Sequence, residues 1–482
     1  MRATDVLQVG FAALSPSPTH SLAPVGSLRS LLLPVEAAAF RSLGAASRLT
    51  RQGGGTTLPG KLLWRADPGA ISALARRFDQ GVALVSATNG KTTTAAMATD
   101  ILEELGGVLA NPGGANLTSG VASSLLTRTA APRAVLEVDE AALPAVAQAT
   151  SPRAVCLGNL FRDQLDRYGE LEHVAERWRE VVSRSDATLV VNGDDPRLAA
   201  LARNRAGSLL FGVDDTRHAL AGLQHAVDSV YCTTCGTPYT YVAIYSGHLG
   251  DYRCGSCGEA RPPLDVVARD IELHGLHGST FSIGARDEEV RVTVSVPGLY
   301  NVDNAVAAAA LALAMGAGLA DVSAGLARFT AAWGRFERIP IGDRRALILL
   351  IKNPAGANEA VRTLVSGDAP RTAVIALNDE IADGRDVSWI WDVDFEPLAE
   401  HLDRLVATGS RAEELALRFA LGGLARERIV VEHDLERAFD QGLALTPADG
   451  ELVVLSTYTA MLELRSLAAE RGGLPEYWEV SA

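Results

Sequence analysis

Aromatic residues make up only 5% of this 482-residue chain and methionine occurs four times, so close packing of small side chains is expected in place of a ring-filled core. Basic residues are in deficit. Against 58 Asp and Glu stand 44 Lys and Arg, for a formal net charge of -14. Nucleic-acid backbones are held by clustered cations, so the balance argues against nucleic acid and for an acidic enzyme or assembly partner. Long apolar runs are missing too. The most apolar stretch, Ala305 to Ala320, is mostly alanine and too short for a membrane span, so it reads as a buried helix. Five cysteines do not make a disulfide scaffold in a chain of this length. Four of them form two tight pairs, which suggests a metal in a reducing compartment, and Cys156, in an apolar strand, reads as core. The nine histidines are scattered, with no spacing that suggests nucleophilic hydrolysis.

What the chain has is alternation. Residues 1–50 read as a Ser- and Pro-rich disordered leader followed by a helix over about 28–49, and a loop follows to Leu63. Beyond it, strand-like segments at 81–87, 133–140, 153–160, 187–195 and 207–213 alternate with helical ones at 95–105 and 171–185. Such βα repetition predicts an α/β fold, a parallel sheet with helices on both faces. The expected division is a central nucleotide-binding domain over 51–338, an inserted cysteine module over 228–262, and a smaller doubly wound domain over 339–482. Within the last, KNPAGAN (352–358) reads as a loop and 395–408 as a helix.

Strand, tight loop, helix is the setting a phosphate-binding loop requires, and SATNGKTTT, Ser86 to Thr94, sits in it. Backbone N–H groups of Thr88, Asn89, Gly90 and Thr93 at a helix N-terminus suit phosphate oxygens, Lys91 adds a point charge, and the Thr92 hydroxyl suits Mg²⁺. The generic pattern opens on a glycine six residues before the lysine, where this chain has Val85; the alternative is a chance GKT in a capping turn. Glu137 ends an apolar strand, where ligands collect in open α/β sheets, and a carboxylate there suits Mg²⁺. The alternative is a solvated acidic cluster with Asp139 and Glu140. Cys232, Cys235, Cys254 and Cys257 form C-x2-C-x18-C-x2-C, which presents four thiolates to one tetrahedral Zn²⁺ and leaves no open position for chemistry. Two local thiol pairs or a redox motif are the alternative.

Together these motifs resemble the Mur ligase superfamily from about Arg51 to Leu464 and, within it, the MurT family of ligase-like subunits of lipid II isoglutaminyl synthase. TNGKTTT is similar to that superfamily's G-T-N-G-K-T loop, with Ala87 in place of its glycine. The resemblance makes Glu137 the magnesium-binding glutamate and puts Asn116, in NPGGANLTSG (111–120), on the substrate side. NLFRDQLDRYGE (159–170) carries Gln164 where most relatives have a metal-binding histidine, which puts a second Mg²⁺ in question. LYNVDNAVAA (299–308) offers Asn301 and Asn304 to the adenine side, GRFE (334–337) offers Arg335 to the γ-phosphate, and Asn353 with Pro354 is similar to an H-N-P motif on the acceptor side. The cysteine ribbon and the segment at 378–396 single out the MurT family. Only about 50 residues precede the nucleotide unit, too few for the separate UDP-binding domain of other members.

The resemblance implies ATP-dependent amidation of the D-glutamate α-carboxylate of the lipid II stem peptide, through an acyl phosphate, with ATP and Mg²⁺ as cofactors and Zn²⁺ as a structural metal. It implies ammonia from a GatD-like glutamine amidotransferase partner, and action in the cytoplasm at the inner face of the membrane without an anchor. Among Asp379, Asp383, Asp386 and Asp392, the motif D-V-S-W points to Asp386 as the catalytic or ammonia-orienting carboxylate; the alternative is that it caps the following turn. Two other functions compete: another Mur or folate-type ATP-dependent amino-acid ligase, and a non-catalytic zinc-ribbon scaffold with a degenerate nucleotide site.

Overall fold

Strand β1 (Gly81–Ser86) is buried from both sides. Its side chains alternate with the pleat, Ala83 and Val85 joining the core on one face of the sheet and Val82 and Leu84 that on the other. The computed structural model describes residues 57–473 except 112–113, 164–170, 226, 331–334 and 368–370. The expected leader and helix of residues 1–50, and Gln164, lie outside the described residues.

Around β1, strands β2 (Val108–Ala110), β3 (Arg133–Glu137), β4 (Ala154–Leu157), β5 (Thr188–Asn192) and β6 (Leu209–Val213) run parallel. After a separate hairpin, β7 (Tyr239–Ser246) and β8 (Leu249–Cys254), the sheet resumes with β9 (Val266–Leu273), parallel to β6, and ends in antiparallel β10 (Ser279–Ala285) and β11 (Glu288–Val294). The order is β11-β10-β9-β6-β5-β4-β1-β3-β2. Because β6 and β9 are neighbours, the hairpin and its cysteines are an insertion between two strands of one sheet.

Three helices position the site. Helix α1 (Lys91–Glu103) follows β1, α2 (Leu299–Ala314) lies on the same face, and α3 (Pro354–Val365) belongs to the C-terminal part. Alanines 305, 307, 308, 309, 310 and 312 of α2 are almost fully buried, their small side chains bringing this helix close to the sheet as its composition predicts.

The C-terminal sheet contains β12 (Arg335–Ile341), β13 (Arg344–Leu350), β14 (Thr372–Ala376), β15 (Arg404–Thr408), β16 (Ile429–Val431) and β17 (Glu451–Ser456), in the order β12-β13-β17-β14-β15-β16. Only the β12–β13 pair is antiparallel. The boundary expected at 338/339 falls inside β12. Three local expectations are corrected. The loop expected to Leu63 gives way to a helix at Leu58–Ala66. KNPAGAN is not all loop, because Asn353 caps α3 by accepting from Gly356 N and Pro354 occupies its first turn. The helix expected over 395–408 stops at His401, and Arg404–Thr408 is strand β15, buried between β14 and β16, where a short apolar run of this kind fits a parallel sheet.

Candidate functional site

The loop after β1 turns into α1 at Gly90, whose φ of +83 is left-handed. A side chain there would also strike Asn304, whose Oδ1 lies 2.0 Å from the position a Cβ would take, so the site demands glycine twice over. Ala87 is different. Positive φ occurs outside glycine at Ser151, Asp270, Arg286, Phe336 and Asp449, and Ala87 is not among them, so alanine replaces glycine there without backbone strain.

Asn304 is held by its neighbours: its Nδ2 donates to Asn301 Oδ1 at 3.0 Å, and Asn301 Nδ2 donates to Pro297 O at 2.7 Å. Thr94 Oγ1 donates to Asn304 Oδ1 at 3.2 Å, tying α1 to α2. The Thr88 backbone N–H expected for phosphate is instead donated to Asn159 O at 3.0 Å, and its Oγ1 accepts from Phe161 N at 3.0 Å and donates to Phe161 O at 3.2 Å, so Thr88 is pinned. Asn89 N donates to Asn159 Oδ1 at 2.9 Å, and Asn159 Nδ2 returns a bond to Asn89 O at 3.0 Å. Thr92 is half-buried in the first turn of α1, and Thr93 is buried.

Lys91 is buried and paired: its Nζ donates to Glu140 Oε2 at 2.9 Å and to the carbonyl of Ala87. Burial alone lowers a lysine pKa, but Glu140, with Glu137 and Asp163 behind it, outweighs burial and holds Lys91 above its ordinary value. The reading of Glu137, Asp139 and Glu140 as a solvated cluster is overturned, since each is 3–4% exposed. Glu137 stands at the end of β3 beside Val85, and its Oε1 accepts from Asn116 Nδ2 at 3.0 Å. Glu137 and Asn116 are thereby brought together next to the loop. The pairing of Glu140 with Lys91 was not foreseen; the sequence placed Glu140 only in the acidic run after β3.

A cavity of about 100 Å³ opens beside the loop. Asn89, Gly90 and Thr93 lie at one part of its wall; Asn301 and Asn304 from α2, Tyr245 and Ser246 from β7, and Glu359 from α3 form others. Two domains and the inserted hairpin therefore share one site. Asn353 joins it through Asn89, and Lys352 pairs with Asp163. Arg362 of α3 donates to Tyr245 O at 2.6 Å and His218 O at 2.7 Å, fastening the hairpin to the C-terminal domain. Arg335 begins β12, and its side chain lies outside the described ones.

The four paired cysteines converge, with all Sγ atoms within 4.8 Å of one another. Cys232 and Cys254 are buried, Cys235 and Cys257 exposed. Asp386 is exposed and its Oδ1 accepts from Ser388 N at 2.9 Å, so in this structure it caps the turn at Ser388–Asp392. Asp383 instead is buried, accepting from Thr459 N at 2.7 Å. Asp379 meets Ser410 and Arg411, and Asp392 lies 3.8 Å from Arg162.

Residues 85–254 match the Mur ligase middle domain and residues 350–461 the MurT ligase C-terminal family. The chain is 34% identical over 432 residues to the lipid II isoglutaminyl synthase (glutamine-hydrolyzing) subunit MurT of Streptococcus pneumoniae, covering 88% of this chain and 94% of that one. It is 30% identical over 426 residues to the subunit of the same name from Staphylococcus aureus, covering 87% and 94%. Among solved structures it superposes on a pseudomurein peptide ligase type C from Methanothermus fervidus with a TM-score of 0.65 at 21% identity, over 83% of this chain and 80% of that one. It superposes on MurF ligase from Thermotoga maritima in complex with ADP with a TM-score of 0.58 at 18% identity, over 86% and 85%. At such identities the structural matches establish the fold.

Proposed function

The chain belongs to the MurT family of Mur ligase-like subunits, and on that premise we propose that it amidates the D-glutamate α-carboxylate of the lipid II stem peptide to D-isoglutamine, using ATP. The observation that carries the proposal is the joining of a lysine-bearing phosphate loop to Asn353 of the MurT-type domain beside a single cavity.

A carboxylate resists attack by ammonia because oxide would have to leave. Transfer of the γ-phosphoryl group of ATP to a carboxylate oxygen gives an acyl phosphate and ADP. Ammonia then attacks the acyl carbon, phosphate departs with one former carboxylate oxygen, and the nitrogen loses a proton. Lys91 supplies positive charge to the phosphoryl oxygens on leaving Glu140, and the resemblance adds Arg335 as a second cation for the γ-phosphate. Asn301 and Asn304 brace the loop against the base side of the cavity. Asn116 and Asn353 face the acceptor. Asp386 serves as the catalytic or ammonia-orienting carboxylate.

Glu137 and Thr92 are the residues that would hold Mg²⁺. The buried Glu137 carboxylate and the half-buried Thr92 hydroxyl offer the hard oxygen donors this cation takes, and when bound it would neutralise phosphate charge. The four converged sulfurs match the all-thiolate donor set of a structural Zn²⁺. Ammonia is supplied by a separate GatD-like glutaminase subunit, a reading supported by the scattered histidines and by the glutamine-hydrolyzing complex in the relatives' name. No helix among the described residues is long and apolar enough to cross a membrane, and the proposal places the enzyme in the cytoplasm, meeting lipid II at the inner face.

Purified chain supplied with lipid II, ATP, Mg²⁺ and either ammonium or a panel of amino acids tests the reading. Amidation with ammonium is expected, and little with glutamine alone until a glutaminase subunit is added. Coupling of an amino acid in preference to ammonium would replace this reading with that of an amino-acid ligase.

A further inference from the structure

Glu359 projects from α3 into the wall of the cavity and is only 4% exposed. Neither carboxyl oxygen has a full hydrogen bond among the described residues. Its polar neighbours are the Ser246 hydroxyl and Arg362, whose Nη1 stands 3.8 Å from Oε2 while the guanidinium donates to Tyr245 O and His218 O. A buried carboxyl group so weakly satisfied is costly unless a ligand completes it. Asp303, also on the cavity wall, is already engaged, both its oxygens meeting Asn192 Nδ2 at 3.2 and 3.3 Å.

We propose that Glu359 reads the base of the bound nucleotide, its carboxyl accepting from the exocyclic amino group of adenine, so that the C-terminal domain selects a nucleotide whose phosphates the central domain holds. The inference rests on the reading of the loop as an ATP site. Burial raises the pKa of Glu359 and Arg362 only partly opposes it. When protonated, the carboxyl presents a donor beside an acceptor, complementary to adenine, which sets a ring-nitrogen acceptor beside its amino donor. A carboxylate, all acceptor, matches instead the adjacent N–H donors of guanine. Ring-sized apolar walls are at hand in Tyr300 and Phe336.

The test measures binding of ATP, GTP and purine riboside triphosphate, which lacks the amino group, to the full chain by calorimetry, with turnover in parallel. For the unsubstituted protein, purine riboside triphosphate should bind about tenfold or more weakly than ATP, as expected when a buried group loses its partner. Glu359→Gln keeps a donor beside an acceptor and should hold its KM for ATP within about threefold. Glu359→Leu should raise that KM by about tenfold with kcat little changed, and should shrink the preference for ATP over GTP. Equal binding of ATP and purine riboside triphosphate by the unsubstituted protein overturns the inference, whatever the variants do. So does an unchanged ATP preference in Glu359→Leu. Failure of the unsubstituted protein to bind ATP at all would overturn the nucleotide site itself and this inference with it.

Discussion

Asn89 and Asn353, 264 positions apart, exchange side-chain hydrogen bonds at 3.2 and 3.0 Å, so the phosphate loop and the first turn of α3 are held together by paired amides. Asn353 also caps α3 through Gly356 N at 2.9 Å. Asn353→Ala should therefore cost about 1 kcal/mol of stability from the cap. It should also lower kcat/KM by about tenfold or more, because a misplaced loop loses alignment. Asn353→Asp keeps the cap but turns a donor into an acceptor facing Asn89 Oδ1. Asn353 is almost fully buried, so the added charge should lower the melting temperature as well as the activity, which thermal melts and steady-state kinetics would measure.

Lys91 and Glu140 form a buried ion pair. Removing one partner strands the other, so Lys91→Met should destabilise the protein by about 3–5 kcal/mol as well as abolish ATP turnover. Adding Glu140→Gln should recover much of the stability and none of the turnover. Denaturant melts with ADP-release assays on both variants check this, and full turnover in Lys91→Met would remove the lysine from the chemistry.

The hairpin that carries the cysteines also supplies Tyr245, Ser246 and Leu249 to the cavity. One Zn²⁺ per chain is expected by metal analysis, lost in Cys254→Ser. Stripping the metal should lower the melting temperature and raise the KM for ATP together. A chelated protein unchanged in both would leave the four sulfurs without a metal role.

Asp386 caps a turn, and asparagine caps about as well as aspartate. Asp386→Asn should fold as the unsubstituted protein does and lose amidation. Normal amidation in that variant would reduce Asp386 to its capping role.

The features legible in the sequence were those encoded locally. The βα alternation, the buried alanine helix and the strand-loop-helix around Lys91 each carry their pattern within about twenty residues, and the paired cysteines carry theirs in their spacing. Features that needed distant partners were misread or missed. The apolar run Arg404–Thr408 carries no period that separates strand from helix until β14 and β16 flank it. Asn353 read as loop although the Asn-Pro pair is a helix-start signal, so turn chemistry was overlooked there rather than hidden. The pairing of Lys91 with Glu140 and the arrival of Glu359 at the cavity depend on tertiary folding, and nothing in the local sequence announces them.

Activation of the carboxylate by ATP is the central claim, and oxygen transfer tests it directly. Lipid II carrying ¹⁸O in the D-glutamate α-carboxylate would be amidated with ATP and ammonium, and the released phosphate analysed by mass. The account predicts one ¹⁸O from a doubly labelled carboxylate in each phosphate released per isoglutamine formed. Unlabelled phosphate accompanying labelled product would contradict it.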